Sequence, residues 1–173
     1  MSLWAILPVK SYEETTLNST GSLESTLSFL KTISQITTII VMSPDPKAVA
    51  VARHSGARTI SIADLPAWET GLSRALHLAA AAGIWRAMVI NPAFAPLDYQ
   101  FFDLLLSTKQ PSFSLSLVPL GDTNDTGIAL VAPPDYVNLS FGSGSLQRNA
   151  RNAHALQAPT TIYPAAALAA AAE

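Results

Sequence analysis

The residues best suited to chemistry in this chain are a glycine and serine run, Phe141-Gly142-Ser143-Gly144-Ser145, lying between a strand-like stretch and a helix-like one. Glycines let backbone N–H groups approach a phosphate, serine hydroxyls donate, and the helix start behind them adds partial positive charge. The run therefore fits an anion cradle, and it also fits an ordinary turn in which Ser145 caps the next helix. Lys10, just after the first apolar stretch, is placed either to meet the same anion or to sit as a solvated loop charge. Asp122, Asn124 and Asp125 form a small acidic cluster, but turns select such residues for backbone reasons alone. His54, His77 and His154 have no partner at the i,i+4 spacing of a helical zinc motif. No G-x-S-x-G elbow, P-loop or G-x-G-x-x-G pattern occurs, so serine hydrolase, P-loop and dinucleotide chemistries find no support.

The elements that must position these residues alternate strand with helix, the pattern of an α/β domain with a mostly parallel sheet. Strands are expected at residues 3–9, 36–42, 58–62, 86–90, 113–118, 128–132 and 160–163. Helices are expected at residues 22–34, from Pro46 to before Gly56, 68–82, from Asp98 through Leu105, and 145–156. Ser22, Asp45 and Asp98 stand where N-caps belong, Pro46 where a first helical residue needs no donor, and Gly56 and Gly83 where helices stop. Residues 10–21 and 121–127 read as polar surface loops. The first strand and those at 36–42 and 86–90 are expected to be adjacent and parallel.

Composition narrows the function classes. A chain of 173 residues suits one domain with one core. Charged residues are 13% of it and apolar ones 49%, so its surface must expose apolar side chains, and a homo-oligomer is expected. Ten Lys and Arg against 12 Asp and Glu, with no basic run, offer no footprint for nucleic acid. The absence of cysteine excludes disulfides, thiolate catalysis, iron–sulfur clusters and Cys-based zinc sites. The first 14 residues lack the pattern of a signal peptide and no apolar run is long enough for a membrane helix, so a cytoplasmic protein without membrane partners is expected. Trp4, Trp68 and Trp85 are expected to pack in the core or at an interface.

Four ordered segments resemble the guanylyltransferase family of deazaflavin coenzyme (F-420) biosynthesis, which joins GMP from GTP to 2-phospho-L-lactate or phosphoenolpyruvate and releases pyrophosphate. They are the segment from Trp4 through Lys10, Val41-Met42-Ser43-Pro44-Asp45, Gly71-Leu72-Ser73-Arg74-Ala75-Leu76, and Phe141-Gly142-Ser143-Gly144-Ser145, the last being the most specific. The resemblance implies one domain over residues 1–173, Rossmann-like, with a mixed sheet and helices on both faces, of the nucleotide-diphospho-sugar transferase type. It also implies phosphate binding by Gly142, Ser143, Gly144 and Ser145, and nucleotide contacts from Leu7, Pro8, Lys10, Ser43, Gly71 and Ser73. It assigns no catalytic residue.

The chain departs from that family where the family holds Mg²⁺. The family's P-A-D-x-P reads Pro92-Ala93-Phe94-Ala95-Pro96, and the segment matching its C-terminal D-x-D places Ala169 and Ala171 at the two aspartates. The triphosphate-facing K-S-R-L stretch reads Thr16-Leu17-Asn18-Ser19, the asparagine of G-L-N is Ser73, and the family's G-T-N reads Thr126-Gly127-Ile128. Nucleotidyl transfer crowds anionic phosphates and needs divalent cations held by carboxylates. The expectation is a divergent member with lost or weak metal-dependent activity and no cofactor, Mg²⁺ entering only if the chain is active. It would bind GTP or a small phosphorylated ligand, or partner an active enzyme. Phe94, Ala169 and Ala171 would then cluster as an apolar patch at the ends of the central strands. The alternatives are an active transferase with metal ligands relocated to Asp98, Asp45 or a partner chain, and a purely structural oligomer subunit.

Overall fold

A computed structural model of the chain describes residues 2–17, 22–63, 68–94 and 97–164. Seven strands form one sheet: β1 (Leu3–Pro8), β2 (Ile36–Ser43), β3 (Arg58–Ser61), β4 (Arg86–Ile90), β5 (Ser114–Pro119), β6 (Thr126–Ala132) and β7 (Thr160–Ile162). Among the described residues six helices flank it: α1 (Tyr12–Leu17), α2 (Leu23–Thr32), α3 (Pro46–His54), α4 (Trp68–Ala81), α5 (Tyr99–Ser107) and α6 (Ser145–Ala155). The order across the sheet is β3-β2-β1-β4-β6-β5-β7. β1 is paired in parallel with both β2 and β4, as expected, while β6 runs antiparallel between β4 and β5. The fold is the mixed α/β architecture anticipated from the sequence.

Strand alternation divides the core between the two faces. Leu3, Ala5 and Leu7 meet α2, α3 and α5 through Leu27, Ala52 and Phe102, whereas Trp4 and Ile6 meet α4 and α6 through Leu72, Ala75 and Ala153. Caps place the helix starts. Ser22 Oγ accepts the Ser25 N–H, Asp45 accepts the Lys47 N–H with Pro46 in the first turn, and Asp98 accepts the Gln100 N–H. Both aspartates named as alternative metal ligands are therefore helix caps.

Three local expectations are corrected. Part of the polar segment 10–21 forms α1, whose start is bonded by the Tyr12 N–H donating to Asp45 Oδ2 at 2.7 Å, a tertiary contact the local pattern does not encode. The loop ending at residue 127 stops earlier, because Thr126 and Gly127 are buried in β6. Ser145 does not cap α6. That place belongs to Gly144 at φ +70°, and Ser145 is fully buried. Ala169 and Ala171 lie outside the described residues, so the expected patch of three is represented here by Phe94 alone.

Phe94 is buried at 3% exposure on the α5 face, its ring 6.0 Å from that of Phe101. Gly127 makes room for it, since a Cβ there would stand 2.6 Å from Phe94 Cδ2 and 2.9 Å from the Pro119 carbonyl oxygen. Gly127→Ala is expected to destabilise the fold by about 1–3 kcal/mol through overpacking. Urea denaturation measures this, and a midpoint equal to that of the parent would refute the close fit of Phe94 against β6.

Candidate functional site

The chain runs β1, β2, β3 outward on one side of β1 and then crosses back to place β4 on the other side. Loops leaving β1 and β4 must therefore part, and in open α/β sheets the crevice at that parting is where ligands sit. A cleft of about 560 Å³ occupies this position. Pro8 ends β1 at its edge and Lys10 and Ser11 follow, Asn91, Pro92 and Ala93 follow β4, Asp125 precedes the antiparallel β6, and Phe141, Gly142 and Ser143 close it. Glu14 and Thr15 of α1 and Trp68 at the start of α4 complete the wall.

The turn after β4 is locked. The Asn91 N–H donates to the Gly127 carbonyl at 2.7 Å, Asn91 Oδ1 accepts the Ala93 N–H at 2.9 Å, and the Phe94 N–H donates to the Asn91 carbonyl at 2.8 Å. This turn sends the Phe94 ring down into the core, and Phe94 neither lines nor plugs the cleft. Among the described residues the carboxylates lining the cleft are Glu14 and Asp125, and Asp125 Oδ1 already accepts the Gly144 N–H at 2.8 Å. Among the described residues no group of three His, Cys, Asp or Glu side chains could hold a metal ion. The donor set does not fit the three-aspartate Mg²⁺ site of the family the sequence resembles.

The residues expected to bind phosphate divide between two roles. Gly142 and Ser143 face the cleft. Gly144 and Ser145 face inward: the Ser145 N–H donates to the Gly142 carbonyl at 3.1 Å, and Ser145 Oγ accepts the Thr126 N–H at 2.8 Å. Behind them Asn149, fully buried, accepts the Ser140 N–H at 2.8 Å and donates to the Ser140 carbonyl at 2.9 Å and to Thr126 Oγ1 at 3.0 Å. Arg148 adds Nε to Ser140 Oγ at 3.2 Å and Nη1 to the Ser143 carbonyl at 2.5 Å.

Of the residues expected to contact nucleotide, Pro8 and Lys10 line the cleft. Leu7 and Ser43 are fully buried at the strand ends, and Ser43 Oγ accepts the Asp45 N–H at 3.0 Å. Gly71 is buried on α4, where a Cβ would meet Ile62 at 2.7 Å, and Ser73 lines a different cavity farther along that helix. Sequence reasoning passed over Asp125, taken as a turn residue, and Asn149, which carried no motif at all. A polar residue at the centre of an apolar-spaced helix face is the signal that marks Asn149.

The α1 wall hangs on a small electrostatic knot. The Tyr12 amide, then the Lys47 and Ala48 amides and the Lys47 charge, hold the Asp45 carboxyl below its ordinary range against the opposing effect of burial. Lys47 Nζ stands 4.2 Å from the Tyr12 ring centroid, and the Tyr12 hydroxyl donates to Glu24 Oε1 at 3.0 Å.

This is a nucleotide-diphospho-sugar transferase-type fold, as solved structures show. The sequence matches no family model and no curated protein. A CMP:2-keto-3-deoxy-manno-octonic acid synthetase complexed with CTP superimposes at TM-score 0.59 with 10% identity, covering 94% of this chain and 89% of that one. Glucosyl-3-phosphoglycerate synthase from Mycobacterium tuberculosis, in complex with Mn²⁺, UDP-glucose and phosphoglyceric acid, gives 0.65 with 16% identity over 93% and 69%. A cytidylyltransferase from Leptospira borgpetersenii gives 0.63 with 12% identity over 95% and 76%. At these identities the likeness is one of fold.

The buried Asn149 bonds generate a test. Asn149→Ala strands the Ser140 N–H and carbonyl and the Thr126 hydroxyl, and is expected to cost about 2–4 kcal/mol. Denaturation and amide exchange measure it, with protection lost first at residues 140–145. Uniform protection across the chain would show that the loop does not depend on this side chain.

Proposed function

We propose that this chain is a divergent guanylyltransferase-like protein that binds a nucleotide or small phospho-acid in the switch-point cleft without the family's metal-dependent transfer. The observation that carries this reading is Phe94, turned into the core where the resembled family holds a metal-binding aspartate, beside a cleft that stays open. Fold neighbours crystallised with CTP, or with UDP-glucose and phosphoglyceric acid, support a ligand of this class.

The cleft's own residues divide the work of binding. Trp68, Phe141 and Pro92 offer apolar surface to a planar base. Lys10, with the Gly142 and Ser143 backbone, faces the phosphate end. Glu14 and Asp125 oppose high negative charge there, so without a divalent cation a triphosphate is disfavoured relative to a monophosphate. GTP with phosphoenolpyruvate or 2-phospho-L-lactate and Mg²⁺ is expected to yield no pyrophosphate. In metal-free titration GMP should bind at least as tightly as GTP, shifting amides at Lys10, Gly142 and Ser143, and Lys10→Ala should weaken it about three- to tenfold. Metal-dependent pyrophosphate release by the purified chain would overturn the proposal.

A second reading, assembly into a homo-oligomer, draws on one feature at the opposite end of the sheet. Trp85 and Phe113, 42% and 50% exposed, stack edge to face with centroids 6.1 Å apart, and Phe113 continues to Tyr136 at 5.2 Å. Large aromatics left in water mark association surfaces. Sedimentation is expected to show a species larger than one chain that Trp85→Lys disperses, and a parent that sediments as a monomer removes this reading.

A further inference from the structure

On the sheet face that carries α4 and α6, the two helices pack over different strands. α4 packs over β1 and β2 and α6 over β5 and β7, and the irregular segment 133–141 fills the interval between them. Two hollows adjoin along this seam and share Glu69, Asn138 and Leu139 as a common wall. One, of about 300 Å³, carries Arg148 and Arg151, and the other, of about 530 Å³, carries Arg74 and His77 with Asp135. Three of the chain's 10 basic Lys and Arg residues thus face one seam. Among the described lining residues, the formal balance against Glu69 and Asp135 is three positive and two negative, or +1, whereas in the cleft Lys10 against Glu14 and Asp125 gives −1.

The cationic groups are held or available. Arg148 is fixed by Ser140 Oγ and the Ser143 carbonyl, and Ser140 is itself fixed by the buried Asn149. Asn152 Nδ2 donates to the Asn138 carbonyl at 2.8 Å, which ties α6 to the segment forming the shared wall. Among the described residues Arg151, one turn beyond Arg148, has only Gln147 of its own helix as a partner at 3.4 Å, and Arg74 makes no hydrogen bond or ion pair. Guanidinium forks on a braced frame recognise oxyanions with little ordering cost.

We propose that the α4–α6 seam is a second anion site, taking a small dianion of the phosphate-monoester type through Arg148 and Arg151 with Arg74 in the adjoining hollow. It is separated from the cleft by the 141–145 loop, to which Arg148 is bonded. The inference stands on the seam's own residues and holds whether or not the cleft binds a nucleotide.

Titration of the intact chain with inorganic phosphate, followed by amide and arginine side-chain shifts, tests it. Shifts are expected at residues 138–140 and 147–152, whether or not Lys10, Gly142 and Ser143 of the cleft also shift. Arg151→Gln and Arg74→Gln, which remove no bond to another element, should each weaken binding about three- to tenfold. Glu69→Gln should tighten it, and Lys10→Gln should leave the phosphate-induced shifts at residues 138–140 and 147–152 unchanged. Shifts confined to Lys10, Gly142 and Ser143, or equal affinity for the parent and Arg151→Gln, would overturn the proposal. Loss of GMP binding at the cleft would leave it standing.

Discussion

Much of this structure depends on one buried side chain amide. Asn149 sits on the inner face of α6, fully removed from water, and its oxygen and nitrogen satisfy the Ser140 backbone and the Thr126 hydroxyl. A buried amide left unpaired is costly, so its bonds hold three elements in one arrangement: α6, the segment before it and the first residue of β6. Ser145 Oγ extends the node to the Thr126 N–H, and Asp125 next to it takes the Gly144 N–H. The loop between the cleft and the arginine-lined seam is therefore shaped from behind, and its glycines at positions 142 and 144 adopt φ +94° and +70° because the node requires that path.

The end of β4 shows how the class of one residue decides where a turn's side chain goes. A carboxylate there would need solvent or a cation, whereas a phenyl ring gains by leaving water. Phe94 packs on Phe101 and lies against Gly127, which has no side chain to obstruct it. The Asn91 turn keeps its backbone bonds while the ring occupies core volume. The crevice forms because its walls come from loops that part at β1, a consequence of strand order rather than of any single ligand.

Charge is distributed accordingly. Among the described residues the crevice has one lysine with two carboxylates, and three of the chain's six arginines line the α4–α6 seam. In a chain with 13% charged residues, such a concentration shapes the local potential more than it would on a densely charged surface. The aromatic ladder of Trp85, Phe113 and Tyr136 begins beside the first residues of β4 and β5, away from the crevice at the other ends of the strands.

Local chemistry in the sequence determined most of the elements. Asp45-Pro46, Asp98, Ser22 and Gly83 end or start helices by satisfying or sparing backbone groups within a few residues, and alternation in β1 assigns Leu3 and Trp4 to opposite faces. Those forces act over short separations, which is why they can be read from the chain. Only the tertiary structure decided the site. Tyr12 starts α1 because Asp45, 33 residues away, accepts its N–H. Asp125 and Ser145 turn toward each other's segments across 19 residues, and Gly71 and Ser73 share a motif yet face a buried contact and a separate cavity. A helix turns about 100° per residue, so neighbours in sequence diverge in space, and which of them reaches a ligand is settled by what packs behind them.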